Sequence, residues 1–196
     1  LGLLQMRRVC RFLKEHRELM EQIQNVKINL SPTELMKSGH AGRLIGIIRE
    51  FGLKPSYFQF EITETVATEY SESLSQAAAE FVEAGIGLCL DDFGAGYANL
   101  NTVLKLPFSE IKLDKSLLVG ICEDDRIASF YQSIVAALQN MGYAVIAEGV
   151  ETPKELGLVS RWGVDLIQGY YFSRPLPGEA LLSAVLDREG AAPAMR

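Results

Sequence analysis

The sequence is poor in residues on which many active sites depend. Its 196 residues include two histidines, His16 in a predicted first helix and His40 in a predicted loop, so a histidine-rich metal site or a Ser-His-Asp triad lacks material. We interpret both as packing or surface residues. The three cysteines, Cys10, Cys89 and Cys122, are widely spaced without a Cys-x-x-Cys pair. They predict neither a disulfide framework nor a zinc site, and they favour a reducing, cytoplasmic location.

Basic clusters and long apolar runs are also missing. The net charge is −6 and no basic run is interleaved with aromatic residues, so binding to duplex nucleic acid is not expected. No apolar run approaches the roughly 18 to 20 residues that span a bilayer, and no leader precedes the first helix, so we expect no membrane contact by this domain. An acidic domain needs divalent cations to hold an anionic ligand.

Apolar residues make up 48% of the chain, enough for the core of one domain over 1–196. Their periodicity predicts six strands, at 26–30, 57–63, 86–90, 110–114, 143–147 and 164–168. Predicted helices alternate with them: one over 3–24, one from Pro32 to Gly52, one ending at Gly85, one ending at Gly142 and one begun by the capping box Thr152-Pro153-Glu155. This alternation indicates a parallel sheet, either a barrel or a doubly wound sheet.

One polar residue lies at or near the C-terminal end of each predicted strand. These are Asn29, Glu61, Asp91, Lys112, Glu148 and Gln168. Barrel active sites are built at such strand ends, whereas an open sheet concentrates its site at one switch point with a glycine-rich loop, and no G-x-G-x-x-G follows the first strand. We therefore predict an α/β barrel of TIM type. Because eight strands close such a barrel, either two strands are missing from the chain or the barrel prediction is wrong.

Taken singly, these residues have ordinary structural explanations. Asp91 and Asp92 fit a solvated turn, and Glu61 and Glu64 fit an exposed strand edge. Lys112 is harder to explain in this way, because it lies in an otherwise apolar strand and a lysine is rarely buried without a partner. The convergence of several such groups on one rim would be destabilising without a metal or a ligand.

The residue types indicate metal-dependent phosphodiester chemistry. Asn29 alone fits a helix cap, but an oxygen-only set of Asn, Glu and Asp suits Mg²⁺ or Mn²⁺. The adjacent Asp91 and Asp92 suit two metals about 4 Å apart, which activate water and stabilise a phosphoryl transition state. Lys112 adds a positive charge for the phosphate or the attacking water. The residues alone indicate a metal-dependent phosphodiesterase.

Six motifs occur in order along the chain. They are Asn29-Leu30-Ser31-Pro32, Glu61-Ile62-Thr63-Glu64, Asp91-Asp92-Phe93-Gly94-Ala95-Gly96-Tyr97, Ile111-Lys112-Leu113-Asp114, Ala147-Glu148-Gly149-Val150-Glu151 and Gln168-Gly169-Tyr170-Tyr171-Phe172-Ser173-Arg174-Pro175. This series resembles the EAL family of cyclic di-GMP phosphodiesterases over nearly the whole chain. The resemblance implies a TIM-like (β/α)8 barrel with one antiparallel strand, hydrolysis of cyclic di-GMP to linear pGpG, a two-metal Mg²⁺ or Mn²⁺ site, and a homodimer.

The resemblance also implies roles for individual residues. The implied metal ligands are Asn29, Glu61, Asp91 and Asp92. The implied catalytic residues are Glu148, as general base, and Lys112, which positions the attacking water or the phosphate. The implied substrate-binding or supporting residues are Glu64, Asp114, Glu151 and Gln168. In the family, the residue matching Glu64 anchors the loop corresponding to 93–100, which couples dimerisation to metal binding.

The chain departs from the family pattern at its start. The family begins with a two-stranded hairpin that carries a Glu-Ala-Leu metal ligand and a substrate-binding arginine, and no such hairpin precedes the first predicted helix. Because Leu1 almost directly begins a helix without a capping residue before it, we expect the chain to be N-terminally incomplete, with open barrel edges prone to pairing. Two alternatives stay open: a non-catalytic cyclic di-GMP receptor or interaction module that has lost the first metal ligand, and a metal hydrolase acting on another phosphodiester.

Overall fold

The computed structural model describes residues 2–31, 37, 39–68, 72–96 and 100–186. Within these ranges, six parallel strands form one sheet in chain order. The strands are β1 (Val26–Asn29), β2 (Phe58–Thr63), β3 (Gly87–Phe93), β4 (Glu110–Leu113), β5 (Ala144–Glu148) and β6 (Leu166–Gln168). A doubly wound sheet would reverse its strand order at a switch point, so the sequential order confirms the α/β barrel prediction as a six-stranded half-barrel.

Helices lie before, between and after the strands. They are α1 (Leu3–Glu15), α2 (Arg17–Gln22), α3 (His40–Glu50), α4 (Glu64–Thr68), α5 (Glu72–Glu83), α6 (Leu100–Lys105), α7 (Asp125–Asn140), α8 (Pro153–Arg161) and α9 (Gly178–Leu186), with 3₁₀ turns at Pro55–Tyr57 and Lys115–Leu118. None of the helices described is both long and apolar enough to cross a membrane. The predicted helix start at Pro32 lies outside the described residues.

The prediction of one helix over 3–24 is wrong, and so is that of a loop at His40. The chain breaks at His16, whose φ of −124° and ψ of 63° end α1 and begin α2. Apolar residues are buried on both sides of the break, Met6, Cys10 and Leu13 in α1 and Leu19 and Met20 in α2, so the apolar pattern alone does not reveal it. His40 is the first residue of α3, because the helix begins just after Gly39, whose backbone is in the left-handed region. The side chain of His40 is buried.

The core lies between the sheet and the helices. Phe60 of β2 packs edge-on against Phe81 of α5, with ring centroids 4.7 Å apart. Side chains alternate between the two faces of a strand, so Gln59, Glu61 and Thr63 face the opposite, inner side of the half-barrel. The polar residues singled out in the sequence therefore lie on the concave face.

The two outer strands of the described sheet, β1 and β6, do not pair with each other. Helix α9 contacts α2, and a side chain at Gly178 would meet the ring of Phe12 at 3.0 Å. The last and first helices described are therefore neighbours, while the strand edges beside them lack a partner in the described part of the chain. This agrees with the expectation of open barrel edges.

Tyr131 of α7 is buried with an unsatisfied hydroxyl. Its ring lies 5.6 Å from that of Trp162, and its Oη has no hydrogen-bond partner among the described residues. A buried hydroxyl without a partner costs about 1–3 kcal/mol. We expect Tyr131→Phe to leave the free energy of unfolding unchanged or to raise it by about 1 kcal/mol, measured by urea unfolding.

The matched control is Tyr143→Phe. The Tyr143 hydroxyl donates to the carbonyl of Val103 at 3.2 Å. We expect this variant to lose about 1 kcal/mol, since it leaves that carbonyl without its donor. A Tyr131→Phe variant that lost as much as the control would show that the Tyr131 hydroxyl is satisfied.

The predicted capping box at the start of α8 is confirmed. Thr152 Oγ1 accepts from the N–H of Glu155 at 3.2 Å, and Glu155 Oε2 accepts from the N–H groups of Thr152 and Glu151, each at 2.9 Å. Burial acts to raise the pKa of Glu155, but the hydrogen bonds from Glu151 and Thr152 outweigh it, so this pKa is lowered.

Glu155→Ala is expected to lower the free energy of unfolding by about 1 kcal/mol at neutral pH, because two backbone donors lose their acceptor. A carboxyl whose pKa is lower in the folded than in the unfolded state stabilises above its unfolded pKa, and this stabilisation disappears as the pH falls through the folded pKa. The deficit of the variant should therefore shrink in acid, measured by urea unfolding. A Glu155→Gln control keeps a side-chain oxygen that can accept from the N–H groups of Glu151 and Thr152, so its deficit at neutral pH should be smaller than that of Glu155→Ala.

Candidate active site

The inner face of the half-barrel brings the predicted ligands from three strands together. Asn29 of β1 lies opposite Glu61 of β2 in the strand register, and Thr63 of β2 lies opposite Asp91 of β3. Because residues two apart on a strand share a face, Asp91 lies one layer above Glu61 on the same side. Asn29 is exposed at the rim, whereas Glu61 and Asp91 are buried.

Lys112 of β4 lies among three carboxylates. Its Nζ is 2.8 Å from Asp91 Oδ1, 3.3 Å from Glu61 Oε1 and 3.9 Å from Glu148 Oε2, and the side chain is only 4% exposed. Burial acts to lower the pKa of Lys112, but the hydrogen bond with Asp91 and the charges of Glu61, Asp91 and Glu148 outweigh it and raise this pKa. Lys112 is therefore a charged internal counter-ion.

A bulge in β3 brings both aspartates to the same site. The predicted strand end at residue 90, with Asp91 and Asp92 after it, is wrong, because β3 continues to Phe93. Asp92 has a φ of 57°, and the pairing with β4 shifts between Leu90 and Phe93. A bulge can turn two consecutive side chains towards one face. Periodicity within a strand does not reveal such an extra residue.

Carboxylate oxygens from Asp91, Asp92 and Glu148 lie within 4.8 Å of one another. Burial raises the pKa of Asp92, and the charge of Asp91 adds to this rise. The pKa values of Glu61 and Glu148 are also raised, in each case chiefly by burial, which outweighs the opposing charge of Lys112. Burial and mutual repulsion thus disfavour the ionised forms of these carboxyl groups, and the one ammonium of Lys112 does not offset this for Glu61 and Glu148.

This donor set fits a divalent cation. The cluster consists of oxygen donors alone, which suits Mg²⁺, Mn²⁺ or Ca²⁺ rather than a soft metal. The raised pKa values mean that a cation would favour the ionised carboxylates, and Lys112 already supplies one positive charge at this position. The clustered oxygens therefore fit a divalent cation. Two of the four predicted ligands, Asp91 and Asp92, belong to this cluster, and its third member is Glu148, which the sequence predicted as the general base.

Glu64 connects the end of β2 to the segment after the two aspartates. It is the first residue of α4 and is buried, and its Oε2 accepts from the N–H of Gly94 at 3.1 Å. Gly94 has a φ of 93°, and a Cβ there would lie 2.6 Å from Leu117 Cδ1, so this position requires glycine. Of the loop 93–100, residues 97–99 lie outside the described residues.

Three predicted supporting residues lie near the rim but outside the cluster. Asp114 caps a 3₁₀ turn, accepting from the N–H of Ser116 at 2.9 Å. Glu151 is exposed, and its backbone N–H is held by Glu155. Gln168 is exposed at the end of β6, opposite Glu148 in the register.

The sequence reasoning missed a second polar group on the inner face, one layer below the site. It consists of Lys27, Gln59, Ser109 and Glu110. Lys27 lies between Val26 and Ile28 in β1, just as Lys112 lies in an otherwise apolar strand. The argument that a lysine in an apolar strand needs a partner therefore applies to Lys27 as well, and it would have predicted this group.

The tripeptide Glu179-Ala180-Leu181 is not at this site. It lies in helix α9, where Glu179 is exposed, rather than at the end of a strand. A shared tripeptide on a different element cannot supply a ligand at the rim that the strand ends form.

Comparison with known proteins agrees with this architecture. The model of the EAL domain family matches residues 1–175. The chain is 34% identical over 158 residues to the cyclic di-GMP phosphodiesterase RocR of Pseudomonas aeruginosa, covering 81% of this chain and 40% of that protein. It is 32% identical over 180 residues to the oxygen sensor protein DosP of Escherichia coli, covering 90% of this chain and 22% of that protein.

Solved structures also superimpose on this fold. A complex of the PaMucR phosphodiesterase with c-di-GMP superimposes with a TM-score of 0.83 at 28% identity, over 92% of this chain and 73% of that chain. A manganese and cy-diGMP complex of Klebsiella pneumoniae BlrP1 superimposes with a TM-score of 0.82 at 28% identity, over 90% of this chain and 44% of that chain. The chain spans less than half the length of the two curated relatives named above. The family match covers most of the sequence, and the chain belongs to the EAL domain family.

Proposed function

We propose that this chain forms most of the active site of a phosphodiesterase that hydrolyses cyclic di-GMP to linear pGpG with the help of two Mg²⁺ or Mn²⁺ ions. The observation that carries the proposal is the cluster of Asp91, Asp92 and Glu148 beside the buried Lys112. Relatives named cyclic di-GMP phosphodiesterases, and EAL structures solved with the dinucleotide, support the substrate.

The metal ligands of the proposal are Asn29, Glu61, Asp91 and Asp92. When bound, divalent ions supply an activated water and neutralise charge on the phosphoryl group. BlrP1 has been solved in complexes with calcium and with manganese, each together with the dinucleotide, which supports a divalent metal. In this chain the four side chains come from three neighbouring strands, so their spacing depends on the curvature of the sheet.

Glu148 and Lys112 would act directly on the reacting groups. Glu148, half-buried with a raised pKa, takes the proton of the attacking water as general base. Lys112 keeps its proton and holds the phosphate or the water through its positive charge. Water adds across one phosphodiester bond, leaving a hydroxyl on one side of the break and a phosphate on the other.

The remaining parts of the proposal concern support and assembly. Glu64 holds the segment after the aspartates through Gly94, while Asp114, Glu151 and Gln168 line the rim near the substrate. A groove of about 720 Å³ opens beside this rim, between the segments after β4 and β5. Homodimerisation and a cytoplasmic location belong to the proposal on the strength of the family resemblance.

The test is hydrolysis of cyclic di-GMP by the full-length protein with Mn²⁺ or Mg²⁺, followed by chromatographic detection of pGpG. We expect turnover that a chelator abolishes and that unrelated cyclic nucleotides do not inhibit. Absence of hydrolysis with both metals would reject the proposal. Competition by other cyclic nucleotides would instead indicate a hydrolase of another phosphodiester.

A second candidate is a receptor that binds cyclic di-GMP without cleaving it. It is favoured by one observation, that the Lys112 ammonium already lies among Glu61, Asp91 and Glu148 and supplies a positive charge there without a cation. Binding of the dinucleotide that is insensitive to chelator, together with no turnover, would support this candidate.

A further inference from the structure

The second polar group on the inner face links strands that are not neighbours. Lys27 of β1 forms an ion pair with Glu110 of β4, and it also donates to Gln59 Oε1 of β2 at 2.9 Å. Gln59 Nε2 in turn donates to Ser109 Oγ at 3.4 Å. The side chains of Lys27 and Glu110 are 23% and 14% exposed. These contacts connect the first and fourth strands of the sheet across its concave side.

The ion pair requires a curved sheet. Strands β2 and β3 lie between β1 and β4. On a flat sheet, β1 and β4 would be about 14 Å apart with their side chains standing perpendicular to the sheet, so Lys27 and Glu110 could not meet. Curvature shortens this distance on the concave side. The pair therefore forms only when the sheet has its barrel curvature.

Glycine on the intervening strand leaves room for the contact. Gly87 of β3 lies beside Gln59 in the register, on the same face as Lys27. A Cβ at Gly87 would lie 3.3 Å from Gln59 Cγ, closer than ordinary packing allows. The lack of a side chain at Gly87 keeps Gln59 in place beside Lys27.

Three of the four members of this group lie directly below a residue of the candidate site. Residues two apart on a strand share a face, so Lys27 lies below Asn29, and Glu110 lies below Lys112. Gln59 lies below Glu61 in the same way. A change in the spacing of β1 and β4 at the lower layer is therefore passed to the layer where the predicted ligands lie.

We propose that the Lys27–Glu110 ion pair is a positioning device that sets the curvature of the half-barrel and thereby holds Asn29, on the first strand, at the distance from Asp91, on the third strand, that a shared cation requires. The proposal rests on the proposed function for the identity of the ligands. Removing one partner leaves a partly buried charge alone, which turns towards solvent and releases β1 from β4. Exchanging the two charges keeps the attraction and should keep the curvature.

The test compares Lys27→Met, Glu110→Gln and the charge exchange of Lys27→Glu with Glu110→Lys. Two properties are measured: Mn²⁺ affinity by calorimetry, and the NMR resonances of the Asn29 side-chain amide in the metal-free protein. We expect each single variant to lower Mn²⁺ affinity by about tenfold and to shift the Asn29 resonances. The exchange variant should recover most of the affinity and the original resonances.

The control is Arg7→Met, which removes an ion pair outside the sheet. Arg7 makes two contacts of 2.7 Å with Glu50, between α1 and α3, and both side chains are exposed. This variant should change neither property. Single variants at Lys27 and Glu110 that lower thermal stability but leave Mn²⁺ affinity and the Asn29 resonances unchanged would overturn the proposal. If the unaltered protein binds no Mn²⁺, the proposed function fails, and the Asn29 resonances alone decide whether the ion pair positions that residue.

Discussion

Replacing Lys112 with methionine is expected to lower the free energy of unfolding of the metal-free protein by about 3 kcal/mol at neutral pH. Its Nζ lies 2.8 Å from Asp91 and 3.3 Å from Glu61, and all three side chains are buried. Methionine has a similar length and fills the same space, so the loss reflects charge rather than volume. The carboxylates would be left close together without the ammonium that separates them.

Urea unfolding in the presence of a chelator measures this loss. Added Mn²⁺ should restore part of the stability, because a cation among the same carboxylates replaces the missing positive charge. Lys54→Met is the control, since Lys54 is exposed and lies just before the 3₁₀ turn at Pro55–Tyr57, and it should change stability by less than about 0.5 kcal/mol. A Lys112→Met variant as stable as this control would show that Lys112 does not act as the counter-ion.

The second large effect is expected on turnover. Glu148→Gln should reduce cyclic di-GMP hydrolysis by roughly 100- to 10,000-fold, because an amide cannot accept the proton of the attacking water. The substitution keeps the size of the side chain, and the oxygens of Asp91 and Asp92 stay beside it. Formation of pGpG under single-turnover conditions gives the rate, and calorimetry gives the affinity for the dinucleotide.

The combination of rate and affinity decides the role of Glu148. A general base predicts slow cleavage with dinucleotide affinity retained. Loss of affinity along with cleavage would make Glu148 a ligand for metal or substrate instead. Glu83→Gln serves as the control for a change of charge alone, since Glu83 is exposed on α5, and its turnover should equal that of the unaltered protein.

Element order and type could be predicted because they depend on local pattern. Apolar runs ended by glycine marked helices and strands, and the observed strand boundaries agree within about two residues except at the end of β3. There, the bulge at Asp92 adds residues that no periodicity encodes. The break between α1 and α2 at His16 was not predicted for a related reason. One non-helical residue does not disturb the pattern of apolar residues on either side of it.

The sequence by itself determined the family, the parallel order of the strands and the identity of the rim residues, because ordered motifs and strand ends are properties of the chain read in one direction. Only the tertiary structure decided which of these residues touch. Lys112 lies among Asp91, Glu61 and Glu148, and Lys27 reaches Glu110 across two intervening strands. Such contacts depend on the register and curvature of the whole sheet. Local sequence patterns specify the face of a strand on which a side chain lies, but they do not specify the partner that it meets across the barrel.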